Sequence, residues 1–262
     1  MLVSAIAVSI QSSLTGCSEG SSTKQTGSQG ELKMYMVDSP GEYDEVNIVV
    51  TEVSVHMASG DTVSGWTVIS DSVRTINLLR LTNGNFDILG VRRLDVGHYS
   101  QIRLKIGTGS NVVVSGTSHD LEIPSGSQSG LKLNHAFEIQ SDVLYEMTLD
   151  FDASKSIHLT GNDRYMMRPV IRVVANQASG SISGVVSPMA ASALISVRYG
   201  SDTLSTYCDM MGGGFRLMVL PAGMYNVTFD AGLAIYVDST IANVQVNAHQ
   251  NTNLGTVVLR QR

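Results

Sequence analysis

The sequence predicts an all-β protein in which two antiparallel β-sandwich domains follow an export signal and a polar tether. Three observations carry that prediction. Apolar residues alternate with period two through most of the chain. Gly, with 25 residues, joins Ser, Asn and Pro in breaking that pattern at short intervals. No helical pattern of ~10–15 residues intervenes between strands, as βαβ units would require.

The N-terminus reads as targeting rather than fold. Residues 1–16 form a short apolar stretch closing on Leu14-Thr15-Gly16-Cys17, which resembles a bacterial lipoprotein processing site with Cys17 as the acylated first mature residue. No Lys or Arg precedes that stretch, so the coding start is expected to lie elsewhere. The stretch is shorter than the ~20 residues that span a bilayer. Residues 17–30 are Gly/Ser-rich and, from Ser18 on, lack aliphatic and aromatic side chains, so they are expected to form a disordered linker. Ser18 is not the Asp that retains a lipoprotein on an inner membrane, which favours the outer membrane of the cell envelope.

The first domain is expected over 31–175. Its clearest strand is 99–106, where Ile102, Leu104 and Ile106 face one way and Gln101, Arg103 and Lys105 the other. Residues 145–152 place Tyr145, Met147, Leu149 and Phe151 inward and Glu146, Thr148, Asp150 and Asp152 outward. The apolar parity of 46–57 switches near Thr51, which predicts a β-bulge there. Further strands are expected at 32–37, 66–69, 112–114, 121–123, 131–139 and 167–174, and one short helical piece at 78–89 interrupted by the Thr82-Asn83-Gly84 turn. A polar stretch at 175–181 marks a boundary. Beyond it, strands at 181–186, 194–199, 206–210, 215–220, 225–231, 241–247 and 254–259 fit a compact Greek-key sandwich over 181–262.

Two family resemblances follow. Met36-Val37-Asp38-Ser39-Pro40-Gly41, Gly65-Trp66, Tyr99-Ser100-Gln101-Ile102-Arg103-Leu104, Leu149-Asp150-Phe151-Asp152 and Arg168-Pro169-Val170-Ile171 resemble, in order across 31–174, a bacterial lipoprotein domain family of unknown function, family 4382. That resemblance implies an exported β-domain with no assigned activity. Ile182-Ser183-Gly184-Val185-Val186 and Leu220-Pro221-Ala222-Gly223-Met224-Tyr225 resemble a carboxypeptidase-regulatory-like (transthyretin-like) sandwich over 181–259. It implies a spacer or binding module in which the Pro221-to-Tyr225 turn joins two core strands, Tyr225 packs inward and Gly223 takes a positive φ. Val96-Gly97-His98-Tyr99 echoes that turn, so both domains are expected to be sandwiches of immunoglobulin-like or transthyretin-like type.

Chemistry is sparse. A net charge of −6 argues against a nucleic-acid partner. The six histidines fall at no metal-ligand spacing, and no Gly-x-Ser-x-Gly elbow occurs. Asp150 and Asp152 are the candidate calcium pair, weighed against pairing with Lys155, Arg168 or Arg172. Met34 and Met36 read as core rather than copper ligands, and Trp66 as core rather than a sugar platform. With Cys17 lipidated, Cys208 has no disulfide partner. The expected role is a non-catalytic binding or surface-display module without cofactor. Its partners are the membrane, through the lipid, and an envelope glycan or protein. The alternatives are a self-associating structural subunit of a surface assembly and a hydrolase of extracellular glycans.

Overall fold

A computed structural model describes residues 28–58, 65–124 and 129–262. Cys17, the signal segment and the linker up to residue 27 lie outside the described residues. The expected linker is shorter than 17–30, because the first strand already begins at Gln29. Gly30 is part of that strand, pairing with Leu94.

The chain forms an all-β structure. The first sandwich packs two sheets. One has the order β13(Ile171–Ala175)–β10(Leu144–Asp152)–β1(Gln29–Ser39)–β5(Asp87–Asp95). The larger sheet has β2(Glu45–Met57) as its spine. This strand pairs with β3(Trp66–Ser70) and β4(Arg74–Asn77) along one edge, and with β6(Gly97–Ile106) and β7(Asn111–Val114) along the other. β9(Leu131–Ile139) extends it beyond β6, and β8(Thr117–Glu122), β12(Tyr165–Met167) and β11(Ile157–Leu159) beyond β7. Leu32, Met34 and Met36 of β1 meet Ile102, Leu104 and Ile106 of β6 and Met147, Leu149 and Phe151 of β10 in one core. The bulge falls where parity switches: the register with β6 shifts between Val50 and Glu52.

The second sandwich pairs a sheet of order β17(Gly214–Pro221)–β14(Ser179–Ser187)–β20(Asn251–Val258) with one of order β16(Asp202–Tyr207)–β15(Leu194–Tyr199)–β18(Gly223–Asp230)–β19(Ser239–Val246). Its separate core includes Ile182, Ile195, Val197, Phe215, Leu217, Val227 and Phe229. Cys208 is buried there, and burial pushes its thiol up.

Several features differ from the sequence reading; among them, the strand expected at 206–210 is β16, Asp202–Tyr207. The expected helix at 78–89 is a 3-10 turn at Leu78–Arg80, capped by the Asn77 side chain accepting from the Leu79 N–H at 3.2 Å. Left-handed Asn83 (φ 56°) and Gly84 (φ 89°) end it, and Leu89 belongs to β5. The single strand expected at 167–174 is two, in different sheets, because the chain crosses the sandwich at Pro169. Trp66 is only half-buried: Arg103 lies 4.2 Å over its ring and His56 meets it at 5.0 Å.

Both sandwiches share one local plan. β1 lies between antiparallel β5 and parallel β10, and β14 lies between antiparallel β17 and parallel β20. Gly30 pairs with Leu94, and Gly180 with Leu220. Each leucine opens a Leu-x-x-Gly-x-Tyr corner whose tyrosine hydroxyl donates to the carbonyl four residues earlier: Tyr99 to Asp95 at 3.0 Å, Tyr225 to Pro221 at 2.8 Å. The loops entering the parallel strands also match. Glu31 N–H donates to Val143 and Ser181 N–H to Gln250, while Asp142 N–H donates to Gln29 and His249 N–H to Ser179. Asp142 (φ 58°) and His249 (φ 59°) occupy the same left-handed position. Of the two corner glycines only Gly97 (φ 152°) has a positive φ. Gly223 does not, which corrects the expectation placed on it.

Candidate binding site between the sandwiches

The outer face of β10 was expected to meet solvent. Instead the second sandwich covers much of it, leaving Thr148 and Asp150 buried. Val37 and Val174 of the first sandwich pack with Met218 and Val219 of β17. Arg172 donates to Asp150 Oδ2 at 3.1 Å (Nε) and 2.7 Å (Nη2), and Nη2 also reaches the Val219 carbonyl at 3.2 Å. Asn83 clamps the edge of β17: Arg216 N–H donates to its Oδ1 at 2.6 Å, and its Nδ2 donates to the Gly214 carbonyl at 3.2 Å.

In this arrangement Asp150 and Asp152 each meet a cation. Asp150 is held by Arg172. Asp152 accepts from the Lys155 N–H at 3.0 Å, capping the short helix α1(Ala153–Ser156), and pairs with Lys155 Nζ at 2.8 Å. Among the described residues no group of three His, Cys, Asp or Glu side chains is placed to hold a metal ion. Asp38, on β1, is buried in the same joint, where Oδ1 accepts from the Ala153 N–H at 2.9 Å and Oδ2 has no partner. Burial pushes its carboxyl well above the ordinary range, reinforced by the neighbouring Asp150 and Asp152 charges.

Beside this joint the sandwiches leave a cleft of about 450 Å³. Alternation along β1 puts Tyr35 and Val37 on its wall, opposite the Met34 and Met36 core face. Phe86, just before β5, crosses Tyr35 edge-on at 5.3 Å and is 50% exposed. The Tyr35 hydroxyl donates to Glu146, while Lys33 lies 5.1 Å over its ring. Burial first, and then the Glu146 bond, raises the Tyr35 phenol. The opposite wall comes from the second sandwich: Ser181 at the start of β14, Arg216 on β17, and His249, Gln250 and Asn251 at the loop entering β20. Asn176 lies on the connection between the sandwiches.

The serine and threonine hydroxyls in the cleft bond to amides and carbonyls, and the Tyr35 hydroxyl to the Glu146 carboxylate. Thr148 donates to Asn176 Oδ1 at 2.7 Å, Ser179 to the Asn176 carbonyl at 3.2 Å and Ser181 to Asn251 Oδ1 at 2.8 Å. An activated serine or threonine nucleophile needs a base at that distance instead. The geometry is that of a small-molecule recognition site, concave, partly aromatic and edged by amides. Pro221 and Tyr225 serve the corner of the second sandwich, whose carbonyl at Pro221 holds the tyrosine, and a Cβ added at Gly223 would meet the tyrosine ring at 3.6 Å. None of the three lines the cleft. The sequence signal missed for this site was the Asn83-Gly84 turn, which reads locally as a chain reversal.

These features define an all-β protein of two packed sandwiches with a cleft between them. Within that class, the profile described as Domain of unknown function (DUF4382) matches residues 29–169, more than half of the chain, and the chain belongs to that family. No curated protein matches the chain. Among solved structures, a type II cohesin–X-dockerin complex from Acetivibrio cellulolyticus is similar at 25% identity, covering 31% of this chain and 58% of that chain, with a TM-score of 0.25. The minor pilin of Streptococcus agalactiae is similar at 10% identity over 88% of this chain and 96% of that one, with a TM-score of 0.25. A shaft pilin of Lactobacillus rhamnosus GG is similar at 7% identity over 90% and 97%, with a TM-score of 0.27.

Proposed function

We propose that this protein is a lipid-anchored module of the cell envelope that binds and displays rather than catalyses, with the interdomain cleft as its ligand seat. Cys17 carries the acyl chains, residues 18–28 give reach, and the domains at 31–175 and 181–262 present the cleft beyond the outer-membrane surface. The second domain is a carboxypeptidase-regulatory-like sandwich in this reading. The observation that carries the binding role is the cleft itself: an exposed aromatic facing amides, with the Thr148, Ser179 and Ser181 hydroxyls each committed to an amide or carbonyl. Several acyl chains anchor stably where one would not.

A filament subunit would need an open, apolar sheet edge. The free edge of β5 carries Arg92 and Arg93, and Arg74 donates to its Ile88 carbonyl at 2.5 Å. Those are the features that blunt edge pairing.

Expression of the chain in a diderm host with an alkyne fatty acid tests the anchor. The expected outcome is a labelled protein in the outer-membrane fraction, and a Cys17→Ser variant that carries no label and leaves the membrane. An unlabelled wild-type chain in the cytosol would overturn the reading.

A further inference from the structure

We infer that the cleft binds a short acidic saccharide, one sugar ring lying on Phe86 and its carboxylate meeting Arg216. This rests on the cleft being the ligand seat. Three observations carry it. Phe86 is half exposed beside Tyr35, and the Tyr35 ring already has the Lys33 ammonium over it, so Phe86 is the platform left for a ligand. An apolar ring stacks well on the CH-rich face of a sugar, and the sugar's hydroxyls then need donors and acceptors around its rim. Asn176 Nδ2 and Gln250 Nε2 donate no hydrogen bond among the described residues, and the Asn176, Gln250 and Asn251 oxygens each keep one lone pair beyond the protein bond they accept.

The third observation is charge. Among the described residues, Arg216 is the one Lys or Arg side chain lining the cleft, and no Asp or Glu lines it. Its only side-chain hydrogen bond among the described residues is a long one, 3.4 Å to Ser181 Oγ. The guanidinium is therefore an uncompensated fork suited to a carboxylate, whereas the whole chain carries −6 and repels polyanions. The Arg216 stem packs over Gly84, two residues from Phe86, where a Cβ on Gly84 would meet it at 3.0 Å. That proximity places the platform and the guanidinium on adjoining walls. A cleft of about 450 Å³ holds a short oligosaccharide rather than a chain end of many rings.

The purified full-length protein, screened on an array of short oligosaccharides with and without a carboxylate, provides the test, followed by titration of the best acidic binder and its neutral counterpart by amide chemical shift. The acidic sugar is expected to bind and to move the Gly84, Phe86 and Asn251 signals. Arg216→Gln should weaken it at least tenfold while changing the neutral counterpart less than threefold, and Phe86→Ala should weaken both. Equal binding of neutral and acidic sugars, with Arg216→Gln silent, would overturn the inference. So would an array with no binder while a peptide or lipid extract moves the same signals, although the cleft would then remain a ligand seat. No movement of cleft signals with saccharides or whole envelope extract would overturn both readings.

Discussion

At the scale of single residues, the fold depends on two tyrosines in equivalent corners. Tyr99 is almost fully buried and its phenol is pushed up to about 12 by burial and the Asp95 charge, so it stays a donor across the working pH range. Tyr225 is raised for the same first reason. Each replaces a water partner with one carbonyl, and such a bond contributes about 1 kcal/mol net. Tyr99→Phe and Tyr225→Phe should each lower the unfolding free energy by about that much, and the double variant by the sum, since the corners belong to separate cores. Denaturant unfolding of the three variants checks this; a double variant no worse than either single would show that the corners are not independent. The glycines opposite these corners are equally specific. A Cβ at Gly30 would sit 2.2 Å from the Gln140 carbonyl oxygen, and one at Gly180 2.3 Å from that of Asn247. Backbone occupies that space in both sandwiches, which explains a glycine that no turn geometry requires.

At the scale of elements, legibility followed burial on one face. β6 and β10 could be read directly because Ile102, Leu104 and Ile106, or Met147, Leu149 and Phe151, alternate against polar neighbours. β5 escaped notice because Arg92 and Arg93 fall side by side in an edge strand, where neither face is fully buried. β4 is too short to show a period. The segment 78–89 cannot be one helix, because Asn83 and Gly84 take left-handed φ, which a helix cannot continue through. That turn is a docking element whose partner, β17, lies more than a hundred residues away, so no local pattern could reveal it. Asn83→Gly keeps the left-handed backbone while removing both hydrogen bonds to β17. It should leave each sandwich folded but loosen their joint. Small-angle scattering should report a larger, broader molecule, and protease should cut the 175–181 connection faster than in the wild type. Unchanged scattering and cleavage would mean that the Val37, Val174 and Val219 contact suffices alone.

At the scale of the whole molecule, the joint between sandwiches contains ionisable groups whose direction of titration can be worked out. Asp38 is held well above the usual carboxylate range by burial, and Asp150 is also raised, burial outweighing the Arg172 charge. Asp152 and Lys155 stand at the margin of the same joint, and from the second sandwich the Val219 carbonyl and the Tyr199 ring, 5.7 Å away, meet the Arg172 guanidinium. A raised folded-state value means that the native protein keeps a proton the unfolded chain has lost. The stabilisation is therefore complete below the ordinary carboxylate value and disappears as pH climbs through the raised one. Asp38→Asn keeps an acceptor for the Ala153 N–H and never ionises. Its stability should match the wild type in acid and exceed it at alkaline pH, by roughly the 1–3 kcal/mol that an unsatisfied buried polar group costs. Thermal unfolding of both proteins across a pH series would reveal curves that diverge as pH rises. Curves that stay parallel would show that Asp38 Oδ2 is solvated in the native state, and that the sandwiches are not pressed together over it.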